Sequence, residues 1–324
     1  MNSSIEFDVD LIQRYDLAGP RYTSYPTAVQ FHNQFDETEY LQAIDDSNNS
    51  QRPLSLYVHL PFCGTVCYYC ACNKIITANR KRASPYLDDL HQEIELQAAR
   101  FTEKRPVSQL HFGGGTPTFI SDDEITSLMN KLRQHFYLLE EDKGDYSIEI
   151  DPREVTPAKI VLLRQLGFNR MSFGVQDFDP KVQVAVNRIQ SLEQTAAAVD
   201  AARASGFHSI NIDLIYGLPF QTVESFSLTL DKVLALNPDR LSVFNYAHLP
   251  HLFKVQKQMD ENTLPSAATK LAILQYVIER LQQAGYVYIG MDHFAKPDDE
   301  LALAQENGTL YRNFQGYSTH AGCD

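Results

Sequence analysis

Four of the five cysteines in this 324-residue chain lie close together, at positions 63, 67, 70 and 72. Cysteines that form disulfides in secreted proteins are usually spread along the chain to join distant loops. Clustered cysteines are more typical of metal ligands or redox groups. The C-x3-C-x2-C spacing from Cys63 to Cys70 places three thiolates on one tight loop. This suits three irons of a 4Fe–4S cluster and leaves the fourth iron open to bind a small molecule.

Two other interpretations of this loop remain open at this point. The first is a structural zinc site, although such sites usually combine two C-x2-C hooks from separate parts of the chain. No second Cys/His pair with matching spacing follows the loop. The second is a set of inert buried thiols, which would leave the close grouping without a reason.

Other residues with chemical potential follow the cysteines along the chain. Gly113-Gly114-Gly115 comes after a β-rich run, although most glycine runs are simply turns. The carboxylates of Glu149 and Asp213 could accept hydrogen bonds from hydroxyls or an ammonium group, and Arg188 could clamp a carboxylate. The alternatives are a structural role for the two carboxylates, such as a salt bridge of Asp213, and an ordinary surface position for Arg188. His59 and His293 are interpreted as hydrogen-bonded core residues and not as ligands.

The elements that must position these residues alternate between short strands and helices. The β-rich runs span residues 54–60, 109–112, 146–150, 170–173, 209–216, 240–246 and 286–289. Three of the intervening helices are predicted to end in a left-handed glycine, at Gly167, Gly206 and Gly285. A repeating strand–helix unit implies a parallel sheet, and seven such strands favour a full or partial (β/α) barrel. The chemistry of such barrels lies at the carboxyl ends of the strands.

Helix starts and region boundaries can also be predicted. Ser121 with Glu124, and Ser191 with Gln194, have capping-box spacing. Ser84 is predicted to cap the helix that Pro85 opens. We expect an N-terminal extension over residues 1–50, the barrel over 51–300, and a further region over 301–324.

Composition limits the class of protein. Hydrophobic residues make up 44% of the chain, and the formal net charge is −13. No basic footprint for nucleic acid is visible. No apolar run approaches the roughly 20 residues of a membrane span, and no secretory signal opens the chain. The chain is therefore expected to be cytoplasmic, without a nucleic-acid or membrane partner.

The cysteine motif, with an aromatic residue before its third cysteine, resembles that of the radical S-adenosylmethionine superfamily. The run over residues 113–117 resembles the glycine-rich motif of that superfamily. Nearly the whole chain is similar to the oxygen-independent coproporphyrinogen III dehydrogenase family. The matching segments are 21–26, 57–63, 72, 149–154, 173–178, 186–188, 213–219, 290–294 and 313–317.

This resemblance implies a partial (β/α) TIM-like barrel of the radical SAM type, with an N-terminal extension. The implied reaction is oxidative decarboxylation of coproporphyrinogen III to protoporphyrinogen IX, which turns two propionates into vinyls during anaerobic haem biosynthesis. The implied cofactors are one 4Fe–4S cluster and two S-adenosylmethionines per turnover. A flavodoxin-like electron donor is expected.

The resemblance also implies roles for individual residues. The cluster ligands are Cys63, Cys67 and Cys70. The catalytic residues are Tyr57, Cys72 and Glu149. Contacts to the cluster-bound S-adenosylmethionine are Tyr57, Gly114 and Glu149. Contacts to the second S-adenosylmethionine are Tyr69, Gly115, Thr116, Gln176, Arg188, Asp213 and Ala247. Candidate cations for the substrate's propionates are Arg21, Lys74, Arg153 and Arg312.

The family pattern continues past residue 324, so the resemblance implies that a C-terminal part is lacking. Two other functions are therefore expected as alternatives. One is a haem chaperone of the same fold, and the other is a catalytically inactive fragment. Cys72 and the segments 186–188 and 21–26 favour the enzyme over the chaperone.

Overall fold

A computed structural model describes residues 7–15, 30–101, 105–320 and 322–324. The helices are α1 (Val9–Tyr15), α2 (Glu37–Ser50), α3 (Ala83–Ala98), α4 (Asp122–His135), α5 (Pro157–Gln165), α6 (Pro180–Ala185), α7 (Leu192–Ala204), α8 (Val223–Ala235), α9 (Ala267–Gln283) and α10 (Glu300–Glu306). The strands are β1 (Leu54–Leu60), β2 (Phe62–Cys63), β3 (Ile75–Ile76), β4 (Pro106–Gly114), β5 (Tyr137–Leu138), β6 (Asp145–Ile150), β7 (Arg170–Gln176), β8 (Ser209–Tyr216), β9 (Arg240–Asn245), β10 (Val287–Gly290), β11 (His293–Ala295), β12 (Tyr311–Asn313) and β13 (Gly316–Ser318).

One large sheet organises the molecule, with strand order β1-β4-β6-β7-β8-β9-β11-β10. The strands from β1 to β9 in this order are parallel, whereas β11 pairs antiparallel with both β9 and β10. Among the described residues no ladder joins β1 to β10, so the sheet stays open between these two edges. The chain therefore has the partial (β/α) barrel that the strand series predicts.

The two faces of the sheet differ in chemistry. Alternate residues of each strand are apolar and fully buried against the surrounding helices, as with Phe112, Ile148 and Ile212. The residues between them point into the barrel and are mostly polar, as with Glu149 and Asp213. The apolar core thus lies outside the barrel, between the sheet and its helices, and the inside is left for polar chemistry.

Local signals in the sequence explain most of the helix ends. Both predicted capping boxes, at Ser121 and Ser191, are present. The three predicted left-handed glycines are confirmed, with φ values of +100° at Gly167, +79° at Gly206 and +90° at Gly285. The predicted cap at Ser84 is wrong. A 3-10 turn over Arg80–Arg82 runs directly into α3, which begins at Ala83, two residues before the predicted start at Pro85.

The C-terminal segment contacts the sheet at its edge and inside the barrel. The backbone of Asp324 exchanges hydrogen bonds with Ser55 and Pro53, at 2.8 and 2.9 Å, which extends the edge at β1. The hairpin of β12 and β13 lines the barrel interior with residues 313–318. The segment 21–26 lies outside the described residues, and with it the candidate Arg21. None of the described helices is long and apolar enough to cross a bilayer.

Candidate functional site

A cavity of about 240 Å³ lies at the carboxyl ends of the parallel strands. It collects all but two of the site residues that the sequence predicts. These are Cys63, Cys67, Tyr69, Cys70, Cys72, Gly114, Gly115, Thr116, Glu149, Gln176, Arg188 and Asp213. Strand order explains most of this gathering, because most of these residues lie near or just after the carboxyl end of a parallel strand, whereas Arg188 follows helix α6.

The cysteine loop is held in a tight form by its own backbone and by one lysine. The Cys70 amide donates to the Cys67 carbonyl at 3.2 Å. The Lys74 ammonium donates to the carbonyls of Cys70 and Cys72, at 2.9 and 3.2 Å. The Cys72 thiol donates to the Cys70 sulfur, and with Lys74 nearby this lowers the pKa of Cys70 to about 6. Cys70 is thus ready to act as a thiolate ligand at neutral pH, whereas the pKa of Cys72 is raised.

Two arginines converge on the sulfur of Cys67. Arg188 Nη1 lies 3.5 Å from Cys67 Sγ, and Arg153 Nη2 lies 3.6 Å from it. Asp151 holds both guanidinium groups, at 3.0 Å from Arg188 and 2.7 Å from Arg153. Burial opposes the charge on Asp151, but the two arginines hold its pKa below the usual value. The arrangement directs positive charge and N–H groups at a sulfur, the contact that tunes iron–sulfur centres.

Glycine is required where β4 ends, because the backbone passes very close to the cysteine loop. Gly114 has φ +112°, and a Cβ built there would lie 2.6 Å from the His59 ring. A Cβ on Gly115 would lie 2.6 Å from the backbone of Pro61. Any larger residue would push this segment away from the cysteines. The glycine run therefore does more than form a turn: it allows two loops to pack closely against each other.

Glu149 links the glycine run to an imidazole. Its carboxylate accepts from the Gly114 amide at 3.2 Å, and the other oxygen lies 3.3 Å from His111 Nε2. The ring of Tyr57 stacks on that of His111, with centroids 5.8 Å apart. Burial, with the charge of Glu149 nearby, raises the pKa of Tyr57 to about 12, so its phenol remains a donor at neutral pH. Sequence reasoning missed His111, which no spacing pattern marks.

Asp213 is partly buried at the cavity wall, and its side chain is held by neutral groups only. Its two oxygens accept from Ser172 at 2.6 Å and from Asn211 at 2.7 Å. Burial, and then the charge of Glu149, raises its pKa to about 6. Its carboxylate therefore lacks the structural ion pair that the sequence left open, and it faces the cavity. A buried carboxylate without a cation is a frequent mark of a ligand site.

A second cavity of about 390 Å³ continues from the first into the barrel interior. Tyr57 lines this cavity, together with the hairpin residues 313–318. At its floor Arg170 pairs with Asp145 at 2.6 Å, and Arg240 pairs with Asp299 at 2.8 Å. These ion pairs close the lower end of the barrel, so the open side of the interior faces the cysteine loop.

Ala247 lies outside both cavities, but it is connected to the cysteine loop. The buried Gln256 amide donates to the carbonyl of Tyr69 at 3.2 Å and to that of Ala247 at 3.3 Å. Gln256 was also missed, because the sequence marks no role for a glutamine in a loop. Two candidate cations for propionates already have partners in this structure. Arg153 pairs with Asp151, and Lys74 binds loop carbonyls.

The residues around the first cavity fit a 4Fe–4S cluster with S-adenosylmethionine. Three thiols of one loop face the same cavity. Buried there are Gln176 Oε1 and Arg188 Nε, neither of which has a hydrogen-bond partner among the described residues. Such atoms require a polar ligand. No three His, Cys or carboxylate side chains in the described ranges converge as a single metal ion requires, whereas a cluster takes each thiolate on a separate iron.

Comparisons with known proteins agree with this geometry. A family model described as the radical SAM superfamily matches residues 57–233. A Pseudomonas aeruginosa protein named oxygen-independent coproporphyrinogen III oxidase is 59% identical over 100% of this chain and 70% of its own length. An Escherichia coli protein of the same name is 54% identical, over 99% of this chain and 69% of its own length.

One solved structure matches the whole fold. It is the coproporphyrinogen III oxidase HemN of Escherichia coli, described as a radical SAM enzyme. The TM-score is 0.93 at 53% identity, and the match covers 99% of this chain and 71% of that one. A 4Fe–4S cluster and S-adenosylmethionine follow as cofactors from superfamily membership. This chain belongs to the oxygen-independent coproporphyrinogen III oxidase family of the radical SAM superfamily.

Proposed function

We propose that this chain oxidatively decarboxylates coproporphyrinogen III to protoporphyrinogen IX, in the anaerobic formation of haem. Each of two propionates becomes a vinyl group and releases one carbon dioxide, one proton and two electrons. The observation that carries the proposal is the single cavity in which Cys63, Cys67 and Cys70 meet the glycine run, Glu149 and Asp213. The relatives named in the comparisons are called oxidases, and none of them is called a haem chaperone.

We assign the cluster to Cys63, Cys67 and Cys70, and two S-adenosylmethionines to the surrounding cavity. When bound, these groups supply the radical chemistry that removes a hydrogen atom from an unactivated carbon. The environment of the cluster loop supports the assignment. Arg153 and Arg188 set positive charge beside Cys67, and Thr116 Oγ1 lies 3.6 Å from Cys63 Sγ.

The cofactor contacts divide between two groups of residues. We propose that Tyr57, Gly114 and Glu149 contact the S-adenosylmethionine on the cluster. Glu149 already accepts from a backbone amide, and its carboxylate faces the cavity, where an ammonium or hydroxyl can reach it.

The second S-adenosylmethionine is assigned to Tyr69, Gly115, Thr116, Gln176, Arg188, Asp213 and Ala247. The unpartnered Arg188 Nε and Gln176 Oε1 supply a donor and an acceptor there. Cys72 is proposed to act on the same loop without binding iron. Its thiol donates to Cys70 and lines the cavity.

Two further proposals concern the surroundings of the enzyme. A flavodoxin-like protein delivers the electrons that the cluster needs. The location is cytoplasmic, since the cysteines are all free and reducing compartments keep thiols in that state.

The experiment compares the chain with Cys63→Ala and, as a matched control, Cys323→Ala, which removes a thiol outside the cavity. Each protein is reconstituted anaerobically with iron and sulfide, then reduced with S-adenosylmethionine and coproporphyrinogen III. The expected result is cluster absorbance, 5′-deoxyadenosine and vinyl product for the chain and the control, and none of these for Cys63→Ala.

Other outcomes separate the alternatives. Deoxyadenosine without vinyl product indicates an inactive fragment. A stable stoichiometric Soret band after addition of haem, without turnover, indicates the chaperone. Cluster formation in Cys63→Ala equal to that of the control contradicts the ligand assignment.

A further inference from the structure

The cysteine loop lies in a stretch of chain whose charge is opposite to that of the whole protein. The chain carries 41 acidic and 28 basic residues, yet no Asp or Glu occurs anywhere in residues 47–87. The same stretch holds five basic residues, at positions 52, 74, 80, 81 and 82. Acidic residues at the average density of this chain would interrupt a stretch of this length several times. The stretch of chain that carries the cysteines is therefore basic, although the protein as a whole is acidic.

Most of these cations already have local partners. Arg52 lies 3.5 Å from Asp324, and Arg80 lies 2.6 Å from Glu154. Lys74 binds carbonyls of the cysteine loop. The side chains of Lys81 and Arg82 are exposed, and neither forms an ion pair with another described residue. These two cations are therefore available to a partner.

We call residues 79–82 the basic turn. Backbone hydrogen bonds hold the segment that precedes this turn against Cys63. Strand β3 pairs with β2 in a register that sets Cys63 beside Ile76. The Thr77 amide donates to the Cys63 carbonyl at 3.0 Å. Asn79 then caps the turn by accepting from the Lys81 amide at 3.1 Å. A short, hydrogen-bonded stretch of backbone thus connects the exposed basic turn to Cys63, a proposed cluster ligand.

The basic turn also has an apolar neighbour and a firm support. Ile76 is 40% exposed next to it, a combination of apolar centre and charged rim that resembles transient protein interfaces. The Arg80 guanidinium stacks on the Phe119 ring at 4.9 Å and pairs with Glu154, which lines the cofactor cavity. The first turn of α4, which contains Asp122, Asp123 and Glu124, lies beside the start of α3, where Glu124 accepts from the Ser84 hydroxyl at 3.2 Å, so acidic side chains border the basic turn on that side.

We propose that the basic turn, with Ile76, is the docking surface for an acidic one-electron donor protein of the flavodoxin class. The inference rests on the proposed function, which requires a reduced cluster. In the step itself one electron leaves the donor cofactor, which is oxidised by one electron, and the cluster is reduced by one electron. The net charge of −13 repels an acidic donor, and the basic turn attracts it.

The test measures binding and turnover separately. Lys81→Glu with Arg82→Glu reverses the available charges, and Lys143→Glu with Lys232→Glu makes the same change in net charge at the opposite end of the barrel. Each reconstituted protein is titrated with oxidised Escherichia coli flavodoxin by calorimetry, at low salt and at about 0.15 M salt. We expect roughly ten-fold weaker binding at low salt for the first pair and a change of less than about two-fold for the control.

Dithionite-driven formation of 5′-deoxyadenosine is measured on the same samples and should be equal in all three proteins. Equal weakening by both charge-reversed pairs overturns the docking surface, as does unchanged binding by the first pair. Absence of salt-dependent binding to the unsubstituted chain overturns it too. Failure of the dithionite reaction in the unsubstituted chain instead contradicts the proposed function, so the two ideas fail in different ways.

Discussion

Replacing Asp213 by asparagine should stabilise the cofactor-free protein at neutral pH, although it removes a site residue. The carboxylate is partly buried at the cavity wall, and no cation among the described residues pairs with it. Asparagine has the same shape: its Oδ1 can accept from Asn211, and its Nδ2 can donate to the Ser172 hydroxyl, where the carboxylate now accepts from Ser172 and Asn211 at 2.6 and 2.7 Å. The substitution thus removes the cost of a buried charge and keeps the hydrogen bonds.

The size of the effect follows from the pKa of Asp213, which burial raises from 3.8 to about 6. A raised pKa means that the native state binds the proton more tightly than the unfolded chain does. The stabilising contribution of the protonated form is complete below about pH 4 and is lost as the pH rises through about 6. At about 1.4 kcal/mol per pKa unit, the charged side chain costs about 3 kcal/mol above pH 6 and about 0.5 kcal/mol at pH 4.

Urea unfolding of the anaerobic, cluster-free protein measures this difference at about pH 4 and about pH 7.5. At neutral pH the free energy of unfolding of Asp213→Asn should exceed that of the parent by about 3 kcal/mol. At acidic pH the two proteins should have almost the same free energy of unfolding. The exposed Asp231 supplies the control, because Asp231→Asn removes a charge without relieving burial. The reasoning is refuted if Asp213→Asn is no more stable than the parent at neutral pH, or if it is stabilised equally at both pH values. The same variant should bind S-adenosylmethionine more weakly after reconstitution.

Two further substitutions test how the loops are held together. Gly115→Ala places a Cβ 2.6 Å from backbone and should lower the free energy of unfolding by more than about 2 kcal/mol, whereas Gly206→Ala, with open space around it and φ +79°, should cost about 1 kcal/mol. If urea unfolding shows the same loss of unfolding free energy for Gly115→Ala and Gly206→Ala, the argument that Gly115 is needed for close packing is contradicted. Gln256→Ala removes a buried amide that joins two loop carbonyls and should cost about 1 to 2 kcal/mol, whereas the exposed Gln258→Ala should be neutral. A neutral Gln256 variant would show that the loop closes without it.

The sequence was informative wherever function depends on order along the chain. Cys63, Gly114 and Glu149 could be expected to lie together, because each follows a parallel strand and such strands end at one rim. Asp151 was different, since its role depends on Arg188, which comes from a distant loop to join the neighbouring Arg153. Nothing in local spacing reveals that convergence. Ser84 shows a similar limit, because the 3-10 turn before it determines where the helix begins. The Ser84 hydroxyl does not cap the helix and donates to Glu124 at 3.2 Å.

The division between an apolar outside and a polar inside of the sheet has a consequence for how such proteins diversify. Stability resides in the layer between strands and helices, where Phe112 and Ile212 are completely buried. Inward-facing positions such as Ser147 and Asn211 contribute little to that layer. Mutations there can change which molecule the interior accepts while the scaffold continues to fold. The architecture thus lets selection explore new reactions with a low risk of losing the protein.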